Sequence, residues 1–386
     1  MLKINQWTVS FLLSLCLALL KNVCISAEFT SNQLNTLKQL NSIIIPTYEE
    51  SLILAELPTL SIPDLQHSLN QLSGEQFTSL AVANQLTGNH FLRSLYNPIR
   101  LTVIKSPIPY TCCFCPTTAV WMQGSGGQSF INNCKHANHT VASGYHASLG
   151  AQIICDRDWT FGIAASYSEN RLDYRTDGSG RGHYGFAGLY GLYRPIGYYA
   201  LADLVYGASR NRLTRQINVN DLSYQAFSKP NAKQILGYIE VGMDCPLWDL
   251  LVQPFLGIEV NGVLCNRISE NGDSPLNLMI SGHNTGNVYS RLGAHITLDQ
   301  CYFIISLDAA WKCRLNSANN KIACRFQSFG EEFHVKDVKR GQSFFEGALS
   351  ATATLCHNFD VYAEASGFVG YHSQAYQGLI GIKYNW

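Results

Sequence analysis

Apolar and polar side chains alternate along the last stretch of the chain, from Ala375 to Trp386. Successive side chains of a β-strand point to opposite faces, so this pattern predicts a strand with two different faces. One face would be apolar and rich in aromatic residues, with Tyr376, Gly378, Ile380, Ile382, Tyr384 and Trp386. The other would be mostly polar, with Gln377, Leu379, Gly381, Lys383 and Asn385. Such a strand is typical of a transmembrane β-barrel.

The same alternation recurs upstream and predicts about twelve strands. Their ranges are 117–126, 141–154, 159–173, 181–194, 197–212, 230–245, 250–265, 287–299, 302–314, 341–355, 359–372 and 375–386. Charged residues share a face in several of these strands and would line a polar lumen. We expect the carboxylates to pair with bases across it, namely Glu240, Glu259, Asp360 and Glu364 with Arg291, Lys383 and similar residues.

The connections between these strands alternate in length. Those at 127–140, 213–229, 266–286 and 315–340 are long, and the ones between them are short, such as Cys155–Asp158. Outer-membrane barrels have short periplasmic turns and longer external loops. The pattern therefore favours a closed barrel whose first strand runs outward and whose C-terminus lies in the periplasm.

The region before the strands has a helical pattern instead. Leu34, Leu37 and Leu40 recur at helical spacing, and Ser61–Asp64 and Ser73–Gln76 both match the capping box that starts a helix. We predict several short helices, the last at about residues 74–96 and ended by Pro98.

The first 27 residues have the form of a secretory signal peptide. Lys3 supplies the positive start, Val9 to Leu20 the apolar core, and Ile25-Ser26-Ala27 a cleavage site. A single membrane anchor is the alternative, but the apolar run is short for one. No run of about 18 apolar residues follows, so the mature chain would cross a membrane only as a barrel.

Composition agrees with a barrel. Only 14% of the residues are charged, against about 25% in soluble domains, while Gly (31) and Tyr (20) are plentiful. The formal net charge is zero, so no nucleic-acid partner is implied.

Cysteines are numerous for such a protein. Of 13 cysteines two precede residue 28, which leaves 11. Those near the periplasmic rim would be Cys112, Cys113, Cys115, Cys155, Cys245, Cys301 and Cys356, and those near the external loops Cys134, Cys265, Cys313 and Cys324. In an oxidising compartment we predict disulfides for the periplasmic set, some with neighbouring envelope proteins. The alternative is that they are small apolar residues without a partner.

Three patterns that could carry chemistry lack the residues that the chemistry needs. Cys112–Cys115 has no nearby histidine to complete a zinc site. Ser179 has no indicated base, and Gly124–Gly127 lacks the lysine and helix of a phosphate loop. We therefore predict that the protein is not an enzyme and holds no metal or cofactor.

Three short motifs stand in the strand-rich part of the chain: VWMQGSGG at 120–127, GFAGLYGLYR at 185–194 and QPFLG at 253–257. Their order and spacing resemble the autotransporter β-domain, the translocator of type V secretion, over roughly residues 115–386. Residues 57–100 resemble, more weakly, the helical segment that precedes such domains. The ending with Ile382, Tyr384 and Trp386 resembles the signature that the barrel-assembly machinery reads in outer-membrane proteins.

The resemblance implies an all-β fold: a twelve-stranded antiparallel transmembrane β-barrel in the outer membrane, preceded by a short helical segment. It divides the chain into a signal peptide (1–27), a helical N-terminal segment with a mini-passenger and a pore helix (28–110), and the barrel (115–386). Fewer than 100 residues separate Ala27 from Trp121, so the large passenger usual in this family has no room.

Two functions fit this organisation. The first is a translocator that exports or displays its own short N-terminal segment. The alternative is an outer-membrane channel, or a disulfide-linked structural envelope protein, without export activity. A cysteine-rich barrel also resembles envelope proteins of chlamydiae, so membrane lipid, the barrel-assembly machinery and cysteine-rich envelope proteins are the expected partners.

Overall fold

Twelve strands form the body of the molecule in a computed structural model of the chain. The residues described are 29–43, 45–99, 117–131, 139–154, 158–174, 178–300, 303–316, 321–328, 330–336, 341–356 and 358–386. The barrel strands are β1 Thr117–Ile131, β2 Thr140–Ile154, β3 Trp159–Tyr174, β4 Gly178–Tyr193, β5 Tyr198–Val219, β6 Asn231–Met243, β7 Leu250–Cys265, β8 His283–Gln300, β9 Phe303–Arg314, β10 Ser343–Cys356, β11 Phe359–Gly370 and β12 Ser373–Asn385.

Each barrel strand pairs antiparallel with its two neighbours, and the sheet closes on itself. The closing pair is β1 with β12, which are in register from Ala119 opposite Asn385 to Ile131 opposite Ser373. Trp386 extends this pair, because its N–H donates to the Thr118 carbonyl at 2.9 Å. The prediction of a twelve-stranded antiparallel barrel preceded by a helical segment is confirmed.

The two faces of the strands meet different surroundings, as the alternation predicts. On β12, Tyr376 and Ile380 are exposed on the outside, while Gln377 and Lys383 are buried in the lumen. Exposed aromatic residues form a belt near the short turns, with Trp159, Tyr198, Trp248, Phe303, Tyr384 and Trp386. A second belt lies towards the long loops, with Tyr145, Tyr167, Tyr206, Trp311, Phe345 and Tyr376. Two such belts mark the interfaces of a membrane-spanning barrel.

Some strands continue beyond their predicted ends. Residues 213–229, predicted as a long loop, belong mostly to β5 and to the strand Leu222–Ser228 paired with it. The loop prediction was wrong because the outward positions that follow Arg212 are polar, namely Thr214, Gln216 and Asn218. Beyond the membrane a strand needs no apolar outer face, so that pattern stops before the strand does.

The helices are α1 Ser31–Leu40, α2 Tyr48–Glu56, α3 Ile62–Ser73 and α4 Glu75–Ser94. Ser61 caps α3 as predicted, but the predicted box at Ser73–Gln76 is wrong. Ser73 ends α3, and Gly74, at φ +76°, turns the chain into α4 without a side-chain cap. Two capping boxes that the sequence analysis missed start α1 at Thr30 and α2 at Thr47. Among the described helices, none is long and apolar enough to cross a membrane.

Helices α1–α3 pack on the long loops at one end of the barrel, and together they form a structure that we call the cap. Its other part is a four-stranded sheet built from the loops, with Ile268–Ser269, Leu278–Ile280, Lys321–Phe326 and Phe333–Lys336. A shared apolar core contains Leu54, Leu69 and Leu72 from the helices and Leu278 and Phe326 from the sheet. Burial in this core raises the pKa of the Cys324 thiol.

Polar contacts fasten the cap to the extended part of β5. The Arg215 guanidinium forms a buried ion pair with Glu270 and donates to the Gln71 carbonyl of α3 at 2.9 Å. The Asn218 N–H donates to the Gln71 side-chain oxygen at 2.6 Å, and the Ser68 hydroxyl donates to the Asn218 carbonyl at 2.9 Å. Because α3 replaces water at these groups, the cap and the strand stabilise one another.

Leu69→Ala should loosen the cap and leave the barrel intact. Leu69 is fully buried in the cap core, and such a truncation costs about 2–5 kcal/mol. We expect faster proteolysis of residues 29–73 in the folded full chain, with the heat-modifiable migration of the barrel unchanged. Leu52→Ala, at a 36% exposed position of α2, is the control. Equal cleavage rates for the two variants would contradict a shared core.

Candidate functional site

Helix α4 occupies the lumen of the barrel. It has 20 residues, of which 17 are buried, so the wall surrounds it on nearly all sides. At 1.5 Å per residue a helix of this length spans about 30 Å, the thickness of the hydrocarbon core of a bilayer. The lumen filled by α4 is the candidate functional site.

Polar side chains connect α4 to several strands of the wall. On β7, the Asn261 amide donates to the Asn89 side chain at 2.6 Å and to the Gln85 carbonyl at 3.2 Å. On β1, the Gln123 amide donates to the Ser94 carbonyl at 2.7 Å. On β3, the Asn170 amide donates to the Thr87 hydroxyl. Hydrogen bonds on several sides fix both the rotation and the depth of the helix.

The helix approaches the wall most closely at Gly88. A β-carbon at this position would lie 2.5 Å from the Gln234 side-chain oxygen and 2.9 Å from a Leu236 methyl group, both on β6. Glycine costs helix stability, so its presence here is explained by the close approach. Farther along, the Phe91 ring stacks on Phe186 of β4 with centroids 5.4 Å apart.

A network of charges joins the helix to the wall. Arg93 of α4 forms an ion pair with Glu346 of β10 at 2.6 Å. The same carboxylate lies 3.1 Å from Arg291 of β8 and 3.7 Å from Lys312 of β9. Lys312 also pairs with Glu259 of β7 at 2.6 Å. Glu346 therefore binds three cations, one of which comes from the helix.

A second charged group lies nearer the short turns. His295 bridges two carboxylates, with its Nε2 atom 3.1 Å from Glu240 and its Nδ1 atom 2.8 Å from Asp308. Its ring stacks on Phe255 with centroids 4.3 Å apart. The Tyr199 hydroxyl donates to Glu240 at 2.8 Å. These contacts hold the charged side chains of the wall in place around the segment that follows α4.

The internal pairs differ in part from those predicted. Arg291 binds Glu346, which the sequence analysis did not single out, and Glu364 accepts a hydrogen bond from Asn97 at 2.8 Å. Arg93 and Lys312 were also missed. The sequence does contain a signal for Arg93, because α4 carries one arginine in a stretch otherwise almost free of charge. A buried cation needs a carboxylate, so this arginine predicts a partner on the wall.

The chain passes through the lumen from one end of the barrel to the other. Gly74, just before α4, faces Leu278 of the cap sheet, where a β-carbon would lie 2.9 Å from a leucine methyl group. Beyond α4, the Pro98 carbonyl accepts a hydrogen bond from Lys383, near the end of β12, at 3.0 Å. Residues 29–73 thus lie at the long-loop end, and the pore segment leads towards the short-turn end, where β1 begins.

The predicted assembly signal lies at the short-turn end. Tyr384 and Trp386 are exposed on the outer face, 44% and 55% respectively, and Ile382 shares that face. These residues lie on the outer face at the short-turn end, and their role as an assembly signal stays a prediction.

Of the cysteines predicted to form disulfides, Cys245 has its side chain within the described part of the chain. Cys245 carries a free thiol, as do Cys265, Cys313 and Cys324 at the long-loop end. Cys112, Cys113, Cys115, Cys155 and Cys301, like the predicted signal peptide at 1–27, lie outside the described residues, and so does the side chain of Cys356. Disulfide formation by this set stays a prediction.

A family model of the autotransporter β-domain matches residues 120–366. The chain belongs to this family. The match covers the strand-rich region in which the three motifs were noted. It identifies the barrel as an outer-membrane translocator barrel.

Solved translocator domains share this fold. That of the autotransporter NalP from Neisseria meningitidis superposes with a TM-score of 0.57 at 12% identity, covering 77% of this chain and 97% of that one. The transport unit of AIDA-I from Escherichia coli gives a TM-score of 0.50 at 18% identity, over 69% and 90% of the two chains. The β-domain of BrkA from Bordetella gives 0.50 at 16% identity, over 70% and 100%. None of the curated proteins compared with the chain matches it.

Glu346→Gln should weaken the hold of the barrel on α4 more than Arg93→Gln does. The first change leaves three cations without their common carboxylate, while the second leaves Glu346 paired with Arg291 and Lys312. Breaking a buried ion pair costs about 3–5 kcal/mol. We expect a lower unfolding temperature and earlier protease cleavage within α4 for Glu346→Gln. The reverse order would show that Glu346 does not organise the network.

Gly88→Leu should displace α4 from the wall and open the pore. The added side chain would collide with Gln234 and Leu236, so single-channel conductance in planar bilayers should rise. Gly185→Leu is the matched control, since Gly185 lies on the outer face with open space around its α-carbon. Its conductance should equal that of the original chain. If both variants conduct alike, the helix does not limit the pore.

Proposed function

We propose that this protein is a type V secretion translocator that exports its own N-terminal segment and displays it on the cell surface. The exported part would be residues 28–73, held outside by the cap and tethered through the pore by α4. A signal peptide at residues 1–27 would first direct the chain across the inner membrane.

The observation that carries this proposal is the path of α4. The helix joins a folded segment at the long-loop end to the first barrel strand, which begins at the short-turn end. Longer loops of outer-membrane barrels are external. A segment connected in this way has its N-terminal part outside the membrane and its C-terminal end on the inner side. Export through the pore would produce this arrangement.

The contacts within the cap also support the proposal. Its helices share an apolar core with the loop sheet, and Asn32 of α1 pairs with the backbone of Lys336 through bonds of 2.8 and 3.0 Å. Partners that complete one another's core are expected to fold together, on the same side of the membrane. This favours display over release of the segment.

The channel function needs a pore that is open to solutes. In the described residues the pore is occupied by α4, which is bonded to the wall along its length. A channel would have to expel the helix and its cap first. The proposal therefore assigns no transport of small solutes.

The test is the side of the membrane that the N-terminus reaches. An epitope tag inserted after Glu28 is expressed in the full chain in a Gram-negative cell, and protease is added to intact cells. We expect the tag to be removed while the barrel stays intact, because residues 28–73 would lie outside.

Two further insertions calibrate this measurement. A tag between Asn220 and Asp221 marks the long-loop end, and one beside Ile196, which is 88% exposed in the turn between β4 and β5, marks the short-turn end. The proposal fails if the tag after Glu28 is protected like the one at Ile196. The channel or envelope function would then replace it.

A further inference from the structure

Outward-facing charges above the membrane are confined to one sector of the barrel. On the outer face towards the long loops, β3–β6 carry five exposed bases, namely Arg171, Arg181, Arg210, Arg212 and Lys233, together with the half-buried His183. The matching upper positions of β1, β2 and β7–β12 carry no charged residue in the described strands. We call these five bases the basic sector.

Three of its arginines stand side by side. Arg171 of β3 lies directly opposite Arg181 of β4, and Arg181 lies directly opposite Arg212 of β5. Neighbouring strands are about 4.8 Å apart, and like charges in directly opposed positions destabilise a sheet. The repulsion within this row therefore destabilises the barrel locally, and a bound anion would reduce it.

Protein carboxylates offset only part of this charge. Arg181 forms an ion pair with Glu169, which also accepts a hydrogen bond from Tyr145 at 2.8 Å. Asp173 is the other acidic residue of these upper positions. Arg171, Arg210, Arg212 and Lys233 form no ion pair within the described part of the chain.

The height of the basic sector shows which layer of the membrane it meets. Arg171 follows Tyr167 of the upper aromatic belt by four residues, and Arg210 follows Tyr206 by four. Four residues of a strand span about 13 Å, or roughly 9 Å of height at the tilt of a barrel strand. The aromatic belt lies at the edge of the hydrocarbon, so the arginines lie in the headgroup layer of the outer leaflet.

We infer that the basic sector binds the phosphate groups of an anionic glycolipid in the outer leaflet of the outer membrane. Arginine binds phosphate through paired N–H donors, and a row of three guanidinium groups presents such donors side by side. A protein partner would meet the loops above the belt, whereas these side chains face the lipid directly beside the barrel. The inference does not depend on whether the N-terminal segment is exported.

The experiment compares the full chain with Arg171→Gln/Arg181→Gln/Arg212→Gln in vesicles of phosphatidylcholine alone and with a minor fraction of diphosphoryl lipid A. In pure phosphatidylcholine the variant should unfold at the same temperature as the original chain or higher, because the repulsion within the row is gone. With lipid A the original chain should gain the larger increase in unfolding temperature. Native mass spectrometry should show roughly 100-fold weaker lipid A retention by the variant, since each base near an anionic surface contributes about a factor of five.

Two controls separate phosphate binding from other effects. Arg267→Gln/Arg325→Gln removes two exposed arginines of the cap, one just before the strand Ile268–Ser269 and one in the strand Lys321–Phe326, and should leave lipid A retention unchanged. Monophosphoryl lipid A has fewer phosphates and should stabilise the original chain less. Equal stabilisation by both lipids, or equal retention by the original chain and the row variant, would overturn the inference and leave the sector free for a protein partner.

Discussion

The structure depends on one constraint, that no backbone N–H or C=O group can stay unpaired in the hydrocarbon of a membrane. A sheet satisfies it only by closing, and here the first and last strands close it in an unbroken register from Ala119 to Ile131. Closure fixes the direction of every side chain. Even a short slip between β1 and β12 would turn lipid-facing residues such as Ile380 into the lumen.

The same constraint leaves the lumen as the one place within the membrane for polar groups, and it explains the character of α4. A helix with seventeen buried residues would normally be apolar all round. This one carries Gln85, Thr87, Asn89 and Arg93, because the wall around it is polar as well. Hydrogen bonds and ion pairs matched to the wall therefore contribute to its stability, together with apolar contacts such as that of Phe91 with Phe186.

The sequence was most informative where the membrane imposes a rule. Lipid on one side and a polar lumen on the other impose a two-residue period, and β7 was predicted with the bounds that the structure has, Leu250–Cys265. Above the membrane the rule ends, so the end of β5, from Leu213 to Val219, was taken for a loop. The caps at Thr30 and Thr47 are local signals that could have been recognised from Gln33 and Glu50 three residues later.

The charge network was beyond sequence reasoning for a different reason. Which carboxylate meets Arg291 depends on the tilt and stagger of strands that are far apart in the chain, and neither follows from the composition of one strand. The inward direction of Glu346 could be read from its strand, but its contact with Arg93 requires the depth of the helix. Pairing across a lumen is thus a property of the closed barrel and not of its parts.

The long upper part of β5 connects the two surfaces that this barrel presents above the membrane. Its inward side chains, among them Leu213, Arg215 and Ile217, are buried against the cap. Its outward side chains include Arg210 and Arg212, which belong to the basic sector. A strand that ended at the membrane would supply neither surface. Both are carried on one continuous strand, which pairs with β4 up to Thr214 and with the strand Leu222–Ser228 from Leu213 onward. An anion bound outside would therefore stiffen the strand that supports the cap inside. The extension is therefore best understood as a shared support for the cap and for the headgroup layer.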